Sequence, residues 1–555
     1  HSLNFITRGI LFFALLGGVF LFLQPSPAHA AGTPCSITPV LTEANLNTCI
    51  AEAPTDNSEF TITLGADFNI TTQKNITAGK NITLTSTNPA APAILTRDPA
   101  YTGLLFSLSI AAPSAATLTI NSVIIDGNSS VAAAGYQLIY TYGAGDITVN
   151  LAGNTVLRNN SSASGGSAVA IGAAGNKLNI SDNVQIINNA TTAGGTIQVT
   201  GTLTMTGGQI TGNTAATSSG GVFVYNGIFT MSGGEISNNT APVGGGVYVI
   251  RGTFTMTGGK ISDNTATAGS TGTGGGVTLS TDAVFNLSAG EITGNTADHG
   301  GGVYAGNDST FTMTGGTISG NATLSGGGGG VLAGNRGVFN MSGGRLISNT
   351  ASGGGGGLSV GHDGVANISG STEISDNTAD KGGGIRVNFL GTLTMTGGKI
   401  TDNSASGLGN GIYFEDGSVI LGGNAQVGSA LGAGNGIYLD SGMIIDLQSG
   451  FTGFANIEGA ADAYLGRPVA EGVSGYTASA SDIARFKWLP ADFALELNSA
   501  TSQIVLGAVV PEAPGTGRLN SDPGRTTSSI LSILIGATAI SSVALLGRKL
   551  TTPRH

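Results

Sequence analysis

Apolar and polar positions alternate with period two through most of this chain. The alternation comes in blocks that return about every 26 residues. Gly220–Thr240 reads GGVFVYNGIFTMSGGEISNNT, and Gly245–Thr265 reads GGVYVIRGTFTMTGGKISDNT. Successive side chains of a strand point to opposite faces, so each block predicts three short strands. The first has an apolar outer pair around a variable middle residue, as in Val222, Phe223 and Val224 or Ile412, Tyr413 and Phe414. The second turns Phe254 and Met256, or Phe285 and Leu287, inward and leaves Thr255 or Asn286 facing water. The third supplies one inward Ile, such as Ile236 or Ile261, beside an outward residue that is often charged, such as Glu235 or Lys260. Helices do not fit a period of two built from Val, Ile, Thr and aromatics with Gly in every block.

An Asn closes each block, at 213, 239, 264, 295, 321, 349, 377 and 403. Self-similarity at this period marks a solenoid, in which one unit buries its apolar face only against the next. The expected fold is an all-β parallel β-helix of roughly 14 turns over residues 60–445, a rod about 65–70 Å long at the usual strand spacing. The recurring Asn is expected to form an internal amide ladder; a calcium site at that corner is the alternative. The spacing from each Asn to the next glycine run varies most at Asn264–Gly276, which marks the corner through Thr265–Gly275 as the place that accepts insertions.

The ends read differently. Arg8, an apolar run from Ile10 to Leu23 and small residues up to Ala30 have the order of a signal peptide over 1–30, with cleavage between Ala30 and Ala31. Residues 31–59 are expected to cap the first turn, with a short helix over Leu41–Ala51. Residues 446–510 form a separate capping module. A linker over 511–529 leads to an apolar stretch, Ile530–Leu546, and a basic tail, so 530–555 is expected to span a membrane.

Composition narrows the partners. Gly accounts for 93 of 555 residues and the net charge is −11, with no basic footprint for nucleic acid. Cys35 and Cys49 are expected to pair in an exported protein; two free buried thiols are the other reading. No cofactor or metal site is expected.

The residues GG-V-x-V followed by I-S-x-N resemble the repeats of pectate-lyase-like and polymorphic outer-membrane-type bacterial surface proteins. The resemblance covers about Gly194–Leu439 and implies a right-handed β-helix. Ala513, Pro514, Gly515, Thr516 and Gly517, followed by the span and basic tail, resemble a sortase-type cell-wall sorting signal. That resemblance implies a sortase-like transpeptidase as partner, cleavage between Thr516 and Gly517, and attachment to peptidoglycan. A membrane anchor at the cell surface is the alternative.

Two functional expectations follow. The first is a displayed adhesin or stalk that binds a glycan or a host or partner surface. Its candidate surface is the outward middle position of the first strand, with Phe223, Tyr248, Tyr304, Arg386, Tyr413 and Tyr438; stacking of these rings on one another is the structural alternative. The second is a carbohydrate-active enzyme, a lyase or hydrolase, with Arg97, Asp98, Asp126 and Arg158 converging in the less regular turns.

Overall fold

The computed structural model describes residues 33–129, 135–163, 165–267 and 272–509. The signal peptide with its Ala30–Ala31 junction, the sorting motif Ala513–Gly517 and the apolar segment 530–555 lie outside these residues. No helix among the described residues is long and apolar enough to cross a membrane.

Residues 33–509 wind into a right-handed parallel β-solenoid of about 15 turns, with two short helices. The second strands stack in register from Thr33–Pro34 to Pro468–Gly472, in a sheet that holds 19 strands with its closing hairpin. The first and third strands form two further ladders. They merge at Phe454–Ala460, one long strand that pairs with both Gln426–Val427 and Ile437–Leu439. Each regular turn also carries a fourth strand beyond the three expected: two residues just after the Asn, as at Thr240–Ala241 and Thr265–Ala266. These stack into a ladder of ten, with the Ala inward.

The inward and outward assignments hold. Met231, Met256 and Leu287 stand in register and are fully buried, while Thr230, Thr255 and Asn286 lie between them on the outer face. Phe229, Phe254, Phe285, Phe311 and Phe339 form a continuous internal stack, with centroids 4.6–4.9 Å apart. In-register stacking of identical residues follows from the strand spacing, as in other parallel arrays. The outward charges of the third ladder alternate: Glu235, Lys260 and Glu291 are successive partners, and Arg345 bonds Glu373 at 2.9 Å. Unlike charges opposite one another favour this register, whereas like charges would weaken it.

The Asn ladder is present and longer than the block count suggested, running from Asn160 to Asn435. Asn239 shows the pattern. Its backbone N–H and its Nδ2 both donate to Asn264 Oδ1, at 3.0 and 2.9 Å, and Nδ2 also donates to the Ile210 carbonyl. Each side chain thus satisfies a corner that would otherwise bury unpaired backbone groups. Space at this corner is set by the glycine pair before the first strand. A Cβ on Gly246 would meet the Gly276 carbonyl oxygen at 2.7 Å and Asn264 Nδ2 at 3.0 Å.

Both ends are covered. Cys35 and Cys49 are joined by a disulfide. The helix Glu43–Glu52, N-capped by Thr42, buries Leu46, Cys49 and Ile50 against the first turns. At the far end parallel pairing runs past residue 445, since Ile445–Leu447 pairs with Pro468–Gly472 and Phe454–Ala460 with Phe486–Trp488. The capping module is therefore partly solenoid. Its antiparallel part is the hairpin Phe493–Asn498 and Gln503–Ala508, whose second strand also closes on Pro468–Gly472. Covering the last strand removes an open edge.

Candidate functional site

Among the described residues a groove runs beside the third ladder, toward its N-terminal end. Its floor is the outward column Ile124, Val156, Gln185, Gln209 and Glu235, five successive rungs in parallel register. At the usual strand spacing those rungs extend about 19 Å. One wall is the corner that precedes the third strand, with Asn154, Asp182 and Asn183; Pro92 closes the end nearest the N-terminal cap.

Hydrogen bonds fix much of this lining. Asn154 Nδ2 donates to the Pro89 carbonyl at 3.0 Å, and Asn183 Nδ2 donates to Asn154 Oδ1 at 3.2 Å. Asp182 accepts from the Gly153 N–H at 2.9 Å. Glu235 accepts from Ser262 at 3.0 Å on its far side. Gln185 and Gln209 at the centre are exposed, and among the described residues no side chain engages their amides. The groove thus offers an apolar stretch at Ile124 and Val156 followed by free amides, which both donate and accept. Polar side chains outnumber apolar ones in this lining, which suits a ligand rich in hydroxyl and amide groups.

This groove was readable in part. The outward residue of the third strand changes along the chain from Ile94 and Ile124 through Val156 to Gln185 and Gln209, and becomes charged only from Glu235 onward. That drift separates these turns from the later ones. Their approach to Pro92, which comes from an irregular loop, has no sequence signal.

The aromatic stripe is placed on the first ladder as expected; Tyr304 and Tyr413 are buried, whereas Phe223, Tyr248, Arg386 and Tyr438 are half-buried. Tyr413 is 2 % exposed and donates to Asp440 Oδ2 at 2.5 Å, with Lys381 Nζ 4.9 Å from its ring centroid. Burial, with the Asp440 carboxylate beside it, pushes the Tyr413 hydroxyl well above its ordinary pKa. Tyr304 is 9 % exposed and its hydroxyl accepts from Asn335 Nδ2 at 2.7 Å. Arg386 donates twice to Glu415 Oε2, at 2.8 and 2.6 Å. Phe223 packs on Tyr248 at 5.4 Å, and Tyr413 on Tyr438 at 6.1 Å. These contacts engage the stripe and leave Phe223, Tyr248 and Tyr438 partly open. The side chains do leave the core, but the next turns pair with them.

Of the four residues of the enzyme reading, Asp126 and Arg158 meet, while Asp98 and Arg97 are engaged elsewhere. Arg158 bonds Asp126 at 2.7 Å as a cross-turn pair. Asp98 is engaged by Asn69 Nδ2 at 3.4 Å and by the Ala100 N–H at 3.0 Å. Arg97 is 1 % exposed and points inside. Its guanidinium donates to the Gly103 and Tyr136 carbonyls and to Asn160 Oδ1, the first acceptor of the Asn ladder. Asp263, Asp376 and Asp402 all hold left-handed φ near 57°, as do Asn188 and Asn238 in neighbouring turns. That backbone requirement accounts for the run of Gly, Asn and Asp at this corner. Among the described residues no group of three His, Cys, Asp or Glu side chains is placed to hold a metal ion.

No family model, curated protein or solved structure matches the chain.

Proposed function

We propose that the protein is a surface-displayed β-solenoid acting as an adhesin, with the groove between Pro92 and Glu235 as its binding site for a linear glycan. The observation that carries this reading is the pair of free, exposed amides at Gln185 and Gln209 beside the apolar Ile124 and Val156. Amides pair with hydroxyl and acetamido groups, and apolar side chains suit the C–H face of a sugar ring. Display is supported by the signal-like segment ending at Ala30 and by the sorting-like motif Ala513–Gly517. In this reading a sortase-like transpeptidase cuts between Thr516 and Gly517 and links the chain to peptidoglycan, or the segment 530–555 holds it in the membrane.

The test is retention of the purified chain on a panel of immobilised glycans, repeated with Gln185→Ala/Gln209→Ala. We expect at least one glycan to retain the wild type and the double variant to lose about tenfold or more in affinity, as removal of two hydrogen-bonding groups predicts. An unchanged affinity in the double variant would move the site elsewhere. Failure of every glycan to bind would remove the adhesin reading for this ligand class.

A further inference from the structure

The outer face of the second-strand ladder is uncharged over nine consecutive rungs, from the rung of Thr202 to that of Ser418. The chain carries 21 basic and 32 acidic residues, yet none stands at an outward position of these rungs. Three columns make up the face. The column from Thr202 to Thr392 is entirely β-branched and includes Ile228, 51 % exposed. The next, from Thr204 to Thr394, is Thr or Asn throughout. The third, from Thr206 to Thr396, is Thr or Ser. Charges line one long edge, at Arg251, Asp282, Asp308, Arg336, Asp363 and Asp416 two positions before the first column, and reappear at both ends. Lys177 pairs with Asp146 at 2.9 Å at one end, and Asp446 stands in register with Glu471 at the other.

We propose that this face joins two copies of the chain, antiparallel, in a symmetric dimer. Four observations carry it. A surface with a fixed rung spacing is complementary along its whole length only to one of equal spacing, and a second copy has that spacing by construction. Hydroxyl and amide groups are donors and acceptors at once, so a face built of them can pair with itself, which a face of carboxylates cannot do. Antiparallel packing about the Thr310–Met313 rung sets the ion-paired Lys177–Asp146 end of one copy, which has no net charge, against the acidic Asp446 end of the other. Parallel packing would set Asp446 and Glu471 against their own equivalents. Nine rungs occupy about 43 Å, and with a width of about 15 Å two copies would bury roughly 1,300 Å² in total, near the lower end of the range of specific stable interfaces. If the chain is displayed as proposed above, such a dimer joins rods on facing surfaces; this consequence alone rests on that reading.

Sedimentation equilibrium of the full chain tests the proposal. The wild type should reach twice the single-chain mass as concentration rises. Thr255→Arg/Thr312→Arg, which puts like charges across the interface, should stay at the single-chain mass. Thr317→Arg, on the outer face of the third ladder, should dimerise like the wild type. A single-chain mass for the wild type at every concentration, or a dimer in the double-arginine variant, would overturn it. The arrangement has its own readout, independent of that variant's folding: Thr204→Cys copies should cross-link with Ile420→Cys copies and not with themselves. Self-cross-linking of Thr204→Cys would overturn the antiparallel arrangement.

Discussion

The turns from Ile197 to Phe414 and the turns at the two ends of the solenoid solve the same problem by different means. In the regular turns the buried Asn side chains find their partners one turn away. Asn264 receives two hydrogen bonds from Asn239 and passes the same pattern on to Asn295. The solution repeats, so the ladder itself needs no buried charge; Asp298, which accepts from the Gly272 N–H, is a buried carboxylate beside it. At the ends the neighbouring turn is missing or irregular, and long cationic side chains fill its place. Arg97, Arg467 and Lys74 are among the largest fully buried side chains of the protein. Arg97 supplies the donor that Asn160 Oδ1 would otherwise receive from a preceding Asn. Lys80 donates to the Ile50 carbonyl at the C-terminal end of the capping helix. Arg467 bonds Asp462 at 2.6 Å and the Pro468 and Asp440 carbonyls. A one-dimensional fold is satisfied by repetition in its middle and by charge at its ends.

The largest expected effect separates the inside of the middle from its outside. Met256→Asp places a carboxylate among fully buried apolar groups and should cost about 4 kcal/mol or more. Thr255→Asp lies one residue away on the outer face and should cost less than about 1 kcal/mol. Urea denaturation of the two variants checks this. Equal losses would mean that the ladder does not hold its register.

The regular turns were legible because their signal is repeated. Eight copies of the second strand fix which of Phe254, Thr255 and Met256 face inward, and the recurring Asn could serve few purposes other than a ladder. The fourth strand was equally repeated, in the Thr and Ala after each Asn, but two residues are too short to show a period. The covered state of Tyr413 could not be read in this way. Alternation gives the face a side chain leaves by, while Asp440 and Lys381 come from neighbouring turns at irregular spacing. Arg97 shows the same limit. An Arg beside Asp98 reads as surface chemistry until the fold brings Gly103, Tyr136 and Asn160 around it.

A second prediction compares ladder middle with ladder end. Asn264→Ala removes the acceptor of Asn239 and the donor to the Ile236 carbonyl, leaving several buried groups unpaired. It should cost about 3 kcal/mol. Arg97→Met strands the Gly103 carbonyl and Asn160 Oδ1, while the Tyr136 carbonyl keeps Asn160 Nδ2, and it relieves the desolvation of a buried cation whose Nε has no partner. Its cost should be smaller, about 1–2 kcal/mol. Denaturant midpoints for the pair check the order, and a larger loss at Arg97 would mean that the end, not the middle, sets the stability of the ladder.

The smallest effect is a difference in pH response between the same two regions. The Glu43 carboxyl, in the cap, has opposing influences on it. Burial pushes its pKa up, but hydrogen bonds from Lys74 and Thr71 and the charge on Lys74 outweigh this and hold it at about 2, below its ordinary 4.5. Lys74 is itself pushed down by burial, which its bond to Glu43 only partly offsets. A carboxyl whose pKa is lower in the folded chain contributes stability above its unfolded value, and that stability is lost as pH falls through the folded one. The window therefore runs from about 4.5 down to about 2. Because the pair is partly open to solvent, we expect about 1 kcal/mol. The Asn ladder contains no group that titrates there. Hydrogen exchange at about pH 3 should therefore quicken in residues 59–86 relative to about pH 5, after correction for intrinsic rates, and leave the amides of 228–256 unchanged. Glu43→Gln should abolish the difference between the regions. Uniform acid loosening along the whole solenoid would show that its ends and its middle answer to the same groups, against the division drawn from their structures.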